Sequence, residues 1–283
     1  MTLMRKQTAG SVILLLACAL FTGSCAPLQP PSATGPHGNE PPYPVLFTDD
    51  SHRTEAALAA VTRLTQATTS QTIERLQPIT ATIESLPSNP ATPLYLPKVG
   101  AAAVMNEEET RESLRRFIRN WRDVIGSEPA KLSLVERLDQ PDGSKVANYE
   151  QRPFRYPIRG NYGKFQIRFA TDRHVLNMIS TCIPDADRIQ TALAAITVRL
   201  KAEDAIKQLK ESEIKYTDPQ GNKLSFRAPA ASDINPRELV VYILPSKDRP
   251  DALEFHLAWE IPLTNAPVKT VYLDAVNGEI IAT

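Results

Sequence analysis

The stretch that decides the fold is VYLDAVNGEIIAT, residues 271–283. Its beginning belongs to a strand candidate that runs from Val268 to Leu273. Asn277-Gly278 is one of the strongest two-residue hairpin signals, because both residue types tolerate positive φ angles. Glu279 to Ala282 can then form a short return strand. The C-terminal residues therefore predict an antiparallel β-hairpin.

A helix and two further strand candidates precede this hairpin. The helix begins at Leu200, and the strands run from Leu239 to Leu244 and from Leu253 to Leu263. Between the helix and the first of these strands lies the polar, proline-containing stretch Tyr216 to Pro236, for which we expect a long loop. This order predicts a helix packed on an antiparallel sheet.

An earlier part of the chain has the same plan. Asn106 is suited to cap a helix whose first turn is the acidic run Glu107 to Glu109, and Gly126 is suited to end it. Apolar residues recur at helical spacing in between and predict core packing: Leu114, Phe117, Ile118, Trp121 and Ile125.

Four strand candidates follow that helix, at Ala130–Leu138, Lys145–Pro153, Lys164–Ala170 and Val175–Ile183. The third alternates apolar and polar residues, which indicates one buried and one wet sheet face. Before Asn106, we expect a helix over the first half of Glu55–Leu76 and a strand from Ile79 to Ile83. The predicted fold class is α+β, with two consecutive helix-plus-antiparallel-sheet units.

The N-terminus has the form of an export signal. Arg5 and Lys6 precede an apolar run from Ser11 to Phe21, which is shorter than the roughly 20 residues of a membrane-spanning helix. The small residues and cysteine that follow resemble a bacterial lipoprotein signal, in which the cysteine receives fatty acids such as palmitate and becomes the mature N-terminus. Membrane attachment is then expected through the lipid.

The position of the lipid has three interpretations. Cys25 is the preferred acylation site, and Cys18 is the alternative. An ordinary secretory signal, cleaved near Ser24 or Ala26, is the third interpretation. All three predict export. Because Ala26 rather than aspartate follows Cys25, an outer-membrane location is favoured if the cell has two membranes.

The residues after this signal have a biased composition. Seven of the nineteen residues from Ala26 to Pro44 are proline. Such a stretch favours extended, semi-rigid chain, so it predicts a tether between the membrane and the folded part. The third cysteine, Cys182, lies in a strand candidate and is expected to be a buried structural residue.

Composition and motifs argue against several functions. The chain has 32 basic and 32 acidic residues and no basic block, so nucleic acid is not an expected partner. Its four histidines, at 37, 52, 174 and 256, do not form the HExxH spacing of a zinc protease. No nucleophile or phosphate-loop motif occurs. We therefore expect no enzyme activity, no metal, no cofactor and no small-molecule substrate, and a hydrogen-bonded structural role for His256.

The order of segments is similar to a known family. Gly160 to Pro184 resembles the fungalysin/thermolysin propeptide (FTP) pattern, and Leu200 to Ile206 is similar to the start of a PepSY helix. Three later segments are similar to PepSY strands in the same order: Leu239–Tyr242, Leu257–Glu260 and Tyr272–Glu279. The resemblance implies an FTP domain at 78–190 and a PepSY domain at 191–283. Together with the patterns described above, the predicted order before them is a lipoprotein signal at 1–25, a tether at 26–50 and a helical segment at 51–77.

The resemblance also implies a function. Propeptides of this family clamp a protease, with their C-terminal end toward its active-site cleft. Without a protease domain after Thr283, the chain is expected to be a non-catalytic inhibitor or folding assistant of a secreted, thermolysin-like zinc metalloprotease. The residues expected to contact that partner are Glu279, Ile280, Ile281, Ala282 and Thr283. The alternative is a general envelope module that binds peptide or cell wall and has no protease partner.

Overall fold

The structure is a computed structural model, and it describes residues 43–47, 51–65, 76–86, 93–102, 104–227 and 230–283. In these ranges the helices are α1 (Ser51–Thr65), α2 (Glu107–Asn120), α3 (Arg122–Ile125), α4 (Ala186–Ala194) and α5 (Ala202–Glu211). The strands are β1 (Val45–Phe47), β2 (Leu132–Asp139), β3 (Lys145–Gln151), β4 (Ile158–Arg159), β5 (Lys164–Phe169), β6 (Val175–Ser180), β7 (Glu213–Thr217), β8 (Lys223–Arg227), β9 (Glu238–Pro245), β10 (Ala252–Pro262), β11 (Thr270–Asp274) and β12 (Ile280–Ala282).

A four-stranded antiparallel sheet has the order β2–β3–β5–β6. Its strands place alternate apolar residues on one face, where Tyr149 lies opposite Phe165 and Ile167 lies opposite Met178. Helices α1, α2 and α3 contribute to the same core through residues such as Val61 and Phe117. This part of the fold is the first helix-plus-sheet unit that the sequence predicts.

A six-stranded sheet has the order β12–β11–β10–β9–β4, with β1 as its sixth strand. The long strand β10 pairs with β9 along one side. On its other side β10 pairs with β1 at residues 252–254 and with β11 at residues 258–262. Two short strands therefore share one edge of β10, and the gap between them is beside Phe255, His256 and Leu257.

One face of this six-stranded sheet is covered by helices. Ile189 and Leu193 of α4 are buried with Phe255 and Leu257 of β10. Ala205 and Leu209 of α5 are buried in a neighbouring cluster with residues of β10 and β11. The predicted α+β fold class is confirmed by these two sheets and their helices.

Three local predictions were wrong or incomplete. Ile79 to Ile83 is a turn and a single bridge rather than a strand, because Thr82 is hydrogen-bonded to Thr80 and to Ser180 O and Ala81 has a φ of 52°. The expected loop Tyr216 to Pro236 contains part of a hairpin, β7–β8, whose turn is closed by the Asp218 carboxylate. Helix α4 was not predicted at all.

The predicted single helix from Glu107 to Gly126 is divided in two. Asn106 and Glu109 form a reciprocal capping box, as the sequence suggests. Trp121 then leaves helical geometry, with φ −116° and ψ 22°, and α3 continues to the left-handed Gly126.

The predicted tether also ends earlier than expected. Residues 26–50 were assigned to it, yet Val45 to Phe47 form β1. The reason is that Leu46 is only 1% exposed in the core of the six-stranded sheet, while Tyr43 reaches a buried carboxylate. The rest of the predicted tether and the predicted signal, with Cys18 and Cys25, lie outside the described residues. No helix among the described residues is long and apolar enough to cross a membrane.

Gly126 allows a matched test of the packing around α3. Gly126 and Gly143 both have left-handed φ values, 78° and 80°, but an added Cβ at Gly126 meets the Thr82 methyl carbon at 2.5 Å, whereas at Gly143 it meets nothing within 4 Å. We expect each alanine variant to lose about 1–2 kcal/mol of unfolding free energy through the backbone. Gly126→Ala should lose a further ~1–3 kcal/mol through the clash.

Urea unfolding of both variants measures this difference. Thr82 cannot rotate away without cost, because its hydroxyl donates a hydrogen bond to Ser180 O at 2.8 Å. Equal losses in the two variants would show that the contact between Gly126 and Thr82 does not constrain the fold.

Candidate functional site

The face of the six-stranded sheet opposite α4 and α5 carries polar side chains. Alternation along β10 places Phe255 and Leu257 toward the helices, and Glu254, His256 and Glu260 on the other face. Two hydrogen-bonded groups lie on this face, and both join residues that are far apart in the chain. The candidate functional site is therefore on the polar face of a sheet.

The first group is the His256 cluster, which consists of Tyr43, Ser246, Glu254, His256 and Asp274. Nδ1 of His256 lies 2.7 Å from Asp274 Oδ2, and Nε2 lies 3.4 Å from Glu254 Oε2. Asp274 is 0% exposed and His256 is 7% exposed. The hydroxyl of Ser246 donates a hydrogen bond to Glu254 Oε1 at 2.6 Å.

Asp274 also organises the C-terminal hairpin. Its Oδ1 accepts hydrogen bonds from the backbone N–H groups of Val276, at 2.8 Å, and Asn277, at 3.1 Å. Its backbone closes the turn, because Gly278 N–H donates to Asp274 O and Asp274 N–H donates to Glu279 O. One buried carboxylate therefore holds both the turn that begins the last strand and the imidazole of β10.

Tyr43 brings the N-terminal segment to the same carboxylate. Its hydroxyl donates a hydrogen bond to Asp274 Oδ2 at 2.9 Å, and its ring centroid lies 3.9 Å from that of His256, with the planes 32° apart. The next residue, Pro44, accepts a hydrogen bond from Phe255 N–H at 3.1 Å. Tyr43 and β1 thus occupy the edge of β10 beside the end of β11.

Hydrogen bonding sets the charges in this cluster. Burial acts to lower the pKa of His256, but the hydrogen bonds to Asp274 and Glu254 and their negative charges outweigh it, so this pKa is raised. Burial acts to raise the pKa of Asp274, but the His256 and backbone hydrogen bonds leave it lowered. The hydrogen bond from His256 lowers the pKa of Glu254.

This arrangement favours a charged imidazolium over a catalytic base. Each ring nitrogen of His256 faces a carboxylate, and only the doubly protonated ring can donate to both. Ser246 donates its hydroxyl proton to Glu254 and not to the histidine, so the pair does not form an activated nucleophile. The predicted hydrogen-bonded structural role of His256 is confirmed.

The second group is the Arg159 cluster, which consists of Arg159, Glu238, Glu260 and Tyr272. The Arg159 guanidinium donates to both oxygens of Glu260, at 2.7 and 3.1 Å, and to Glu238 at 3.0 Å. Tyr272 donates its hydroxyl to Glu260 at 3.2 Å. Burial and then the Glu260 charge raise the pKa of Tyr272 to about 12, so its proton is retained. This cluster fixes β4 against β9, β10 and β11.

The residues predicted to contact a partner form the edge of the same sheet. Ile280 to Ala282 are β12, and among the described strands β12 pairs only with β11. Ile280 packs against the core cluster under α5, and Gln208 of α5 donates a hydrogen bond to Gly278 O at 2.7 Å. Their predicted contact with a partner stays a prediction.

Of the three cysteines, the structure describes only Cys182. Cys182 is 0% exposed, and burial raises its pKa to about 12, so the expected buried structural role is confirmed. The lipidation candidates Cys25 and Cys18 lie outside the described residues. Among the described residues, no group of three or more histidine, cysteine or acidic side chains could hold a metal ion.

Sequence reasoning missed the His256 cluster as a unit. The spacing of Glu254 and His256 indicates that they share one face of a strand, and this signal was available. Tyr43 and Asp274 are 231 positions apart in the chain. Their contact with His256 depends on which strands flank β10. Tyr43 was moreover assigned to the tether on the basis of the surrounding prolines.

Comparisons with known proteins assign no family. No protein family profile matches this sequence, and no curated protein matches it. Among solved structures, the Bacillus megaterium YpeB C-terminal domain aligns over 73% of this chain and 73% of that chain, with 12% identity and a TM-score of 0.27. A similarity at this level carries no argument about fold or function, so the resemblance to FTP and PepSY domains stays a prediction.

The His256 cluster predicts a pH dependence of stability. Because the pKa of His256 is raised in the folded state, this residue contributes fully to the free energy of unfolding below its unfolded-state pKa of about 6.5. The contribution is lost as the pH rises through the folded-state pKa. The lowered pKa values of Asp274 and Glu254 mean that their contributions are lost as the pH falls through their folded values. We therefore expect the melting temperature to fall as the pH rises above about 6.5.

Thermal unfolding of His256→Gln across the same pH range tests this assignment. At pH values below about 6.5 the variant should have a lower melting temperature than the natural chain. Its melting temperature should not show the fall that titration of the histidine causes at higher pH. His174→Gln is the matched control, because His174 pairs with Tyr95 and is not part of the His256 cluster, and this control should retain the fall. If His256→Gln keeps the full pH dependence, the cluster is not its source.

Proposed function

We propose that this protein is an exported, lipid-anchored and non-catalytic module that binds a secreted thermolysin-like zinc metalloprotease, as an inhibitor or a folding assistant. The observation that carries the proposal is the edge strand β12, which completes a sheet and presents its outer side to no described strand. The resemblance of the sequence to FTP and PepSY domains supplies the class of partner.

An edge strand is suited to recognise an extended polypeptide. Its outer N–H and C=O groups can pair with another strand, and such pairing gives affinity through the main chain and selectivity through alternate side chains. The edge is also rigid, because β12 is held by β11, by the Asp274 turn and by Gln208 of α5. A rigid edge limits the conformational entropy that binding would cost.

The chemistry of the polar face supports a non-catalytic role. Nδ1 of His256 is hydrogen-bonded to Asp274, and Nε2 lies 3.4 Å from a Glu254 oxygen. Glu260 is engaged by Arg159 and Tyr272. These contacts join β10 to β11 and to β4, so the polar groups serve to hold the strands of the sheet together. The module is proposed to act through its shape and its strand edge.

Ile281→Lys tests the role of the edge. Ile281 lies between the two registered pairs of β12 with β11, and Ile280 rather than Ile281 contacts the buried cluster. A lysine at an edge strand opposes strand addition, so we expect inhibition of thermolysin-like metalloproteases to weaken by roughly tenfold or more with little loss of stability. The measurement is the inhibition constant of the purified chain without residues 1–25.

Leu224→Lys is the matched control, because Leu224 is a 44% exposed apolar residue on β8, away from the six-stranded sheet. The control should inhibit like the natural chain. Absence of inhibition by the natural chain across several thermolysin-like proteases would contradict the inhibitor role. Equal inhibition by Ile281→Lys would contradict the role of β12.

A second candidate function is a general envelope module that binds a cell-wall component or peptide. The observation that favours it is a cavity of about 110 Å³ beside β4. Its lining includes aromatic residues such as Phe154 and Tyr156, and basic residues, among them Arg155 and Lys164, that outnumber the one acidic residue, Glu150. Such a lining suits a small acidic or sugar-containing group. Retention of cell-wall fragments, abolished by Arg155→Ala but not by Ile281→Lys, would favour this function over the first.

A further inference from the structure

The segment before α1 is attached to the sheet by an unusual set of contacts. Strand β1 has only three residues, and it pairs with β10 through Val45, Leu46 and Phe47. Three residues make few ladder hydrogen bonds, so side chains carry much of the attachment. The side chain that reaches furthest into the polar face is that of Tyr43.

Two contacts of Tyr43 depend on His256. The Tyr43 hydroxyl shares Asp274 Oδ2 with His256 Nδ1. Its ring lies against the histidine ring with a 3.9 Å centroid separation, a geometry in which a cation is attracted to the face of an aromatic ring. Loss of the histidine charge would therefore remove the attraction between the rings and weaken the pair that positions the shared carboxylate.

Glu254 connects the same charge to β1. Glu254 is the register partner of Val45, and its Oε2 faces His256 Nε2. A neutral imidazole has one N–H and one lone pair, so one of its two carboxylate neighbours would then face a lone pair. That repulsion would act either at Glu254, beneath β1, or at Asp274, which binds Tyr43.

We propose that residues 43–47 form a strap that is held on the sheet while the His256 ring is charged, and that opens when the ring loses its proton. Among the described residues, the carboxylates that face the ring are Asp274 of β11 and Glu254 of β10. Tyr43 lies against the ring, and Tyr242 of β9 is its cross-strand partner. The pKa of Glu254 is lowered by His256 and, more weakly, by the positive charge of Lys247. Opening would lengthen the connection to the preceding residues by roughly 17 Å.

Other contacts of the strap do not depend on the histidine charge. Leu46 is buried in the core, the Arg249 guanidinium lies 4.1 Å from the centroid of the Phe47 ring, and Arg53 donates a hydrogen bond to Phe47 O at 2.9 Å. None of these contacts involves a group that titrates near neutral pH. The histidine charge therefore adjusts an attachment that already exists.

Amide hydrogen exchange of the full chain at pH 6 and pH 8, corrected for intrinsic rates, tests the strap. The protection of Val45 to Phe47 and of Phe255 should fall by roughly tenfold at pH 8, the scale of one lost charge-assisted hydrogen bond. Protection of Val240 and Val241, in the middle of β9, should fall less. His256→Gln should show weak strap protection at both pH values, and His174→Gln should behave like the natural chain.

Two results would overturn the proposal. One is strap protection that does not change between pH 6 and pH 8 in the natural chain. The other is an equal fall at the strap and at β9, which would indicate global destabilisation without a separate opening. If His256→Gln does not fold, Tyr43→Phe serves instead, because it removes the hydroxyl that donates to Asp274 and keeps the aromatic ring. It should weaken protection at the strap selectively, and unchanged strap protection would count against the proposal.

Discussion

The buried pair of Asp274 and His256 is the interaction on which the C-terminal part of the molecule depends. The Asp274 carboxylate is fully buried and accepts hydrogen bonds from the imidazole, from Tyr43 and from two backbone N–H groups of the last turn. A buried carboxylate is costly unless it is paired and hydrogen-bonded. Here the groups that satisfy it belong to β10, the N-terminal segment and the C-terminal hairpin, so all three must be in place together.

This constraint connects the fold to the proposed function. The turn that Asp274 holds positions β12, and β12 is the edge proposed to bind a polypeptide. The same carboxylate positions Tyr43, through which the segment leading to the predicted tether joins the sheet. The proposed binding edge and the attachment of the N-terminal segment are therefore coupled through one charged group, although they lie at opposite ends of the sequence.

Much of the fold could be predicted from the sequence because its signals are local. Asn106, Glu109 and Gly126 mark the ends of the first long helical segment, and Asn277-Gly278 marks the last hairpin. The failures have tertiary causes. Ile79 to Ile83 has the alternation of a strand, yet its hydrogen bonds go to Val124 and Ser180 instead of a ladder. The candidate site was harder still, because it depends on β1 and β11 sharing one edge of β10.

The protonation state of His256 decides whether the buried pair with Asp274 is an ion pair. The nitrogen chemical shifts of its ring can be measured by NMR at pH 6.5, where an ordinary histidine is about half protonated. We expect both ring nitrogens to carry protons at this pH and the ring to titrate at a higher pH, since each nitrogen faces a carboxylate. A neutral ring at pH 6.5, with one unprotonated nitrogen, would contradict this expectation.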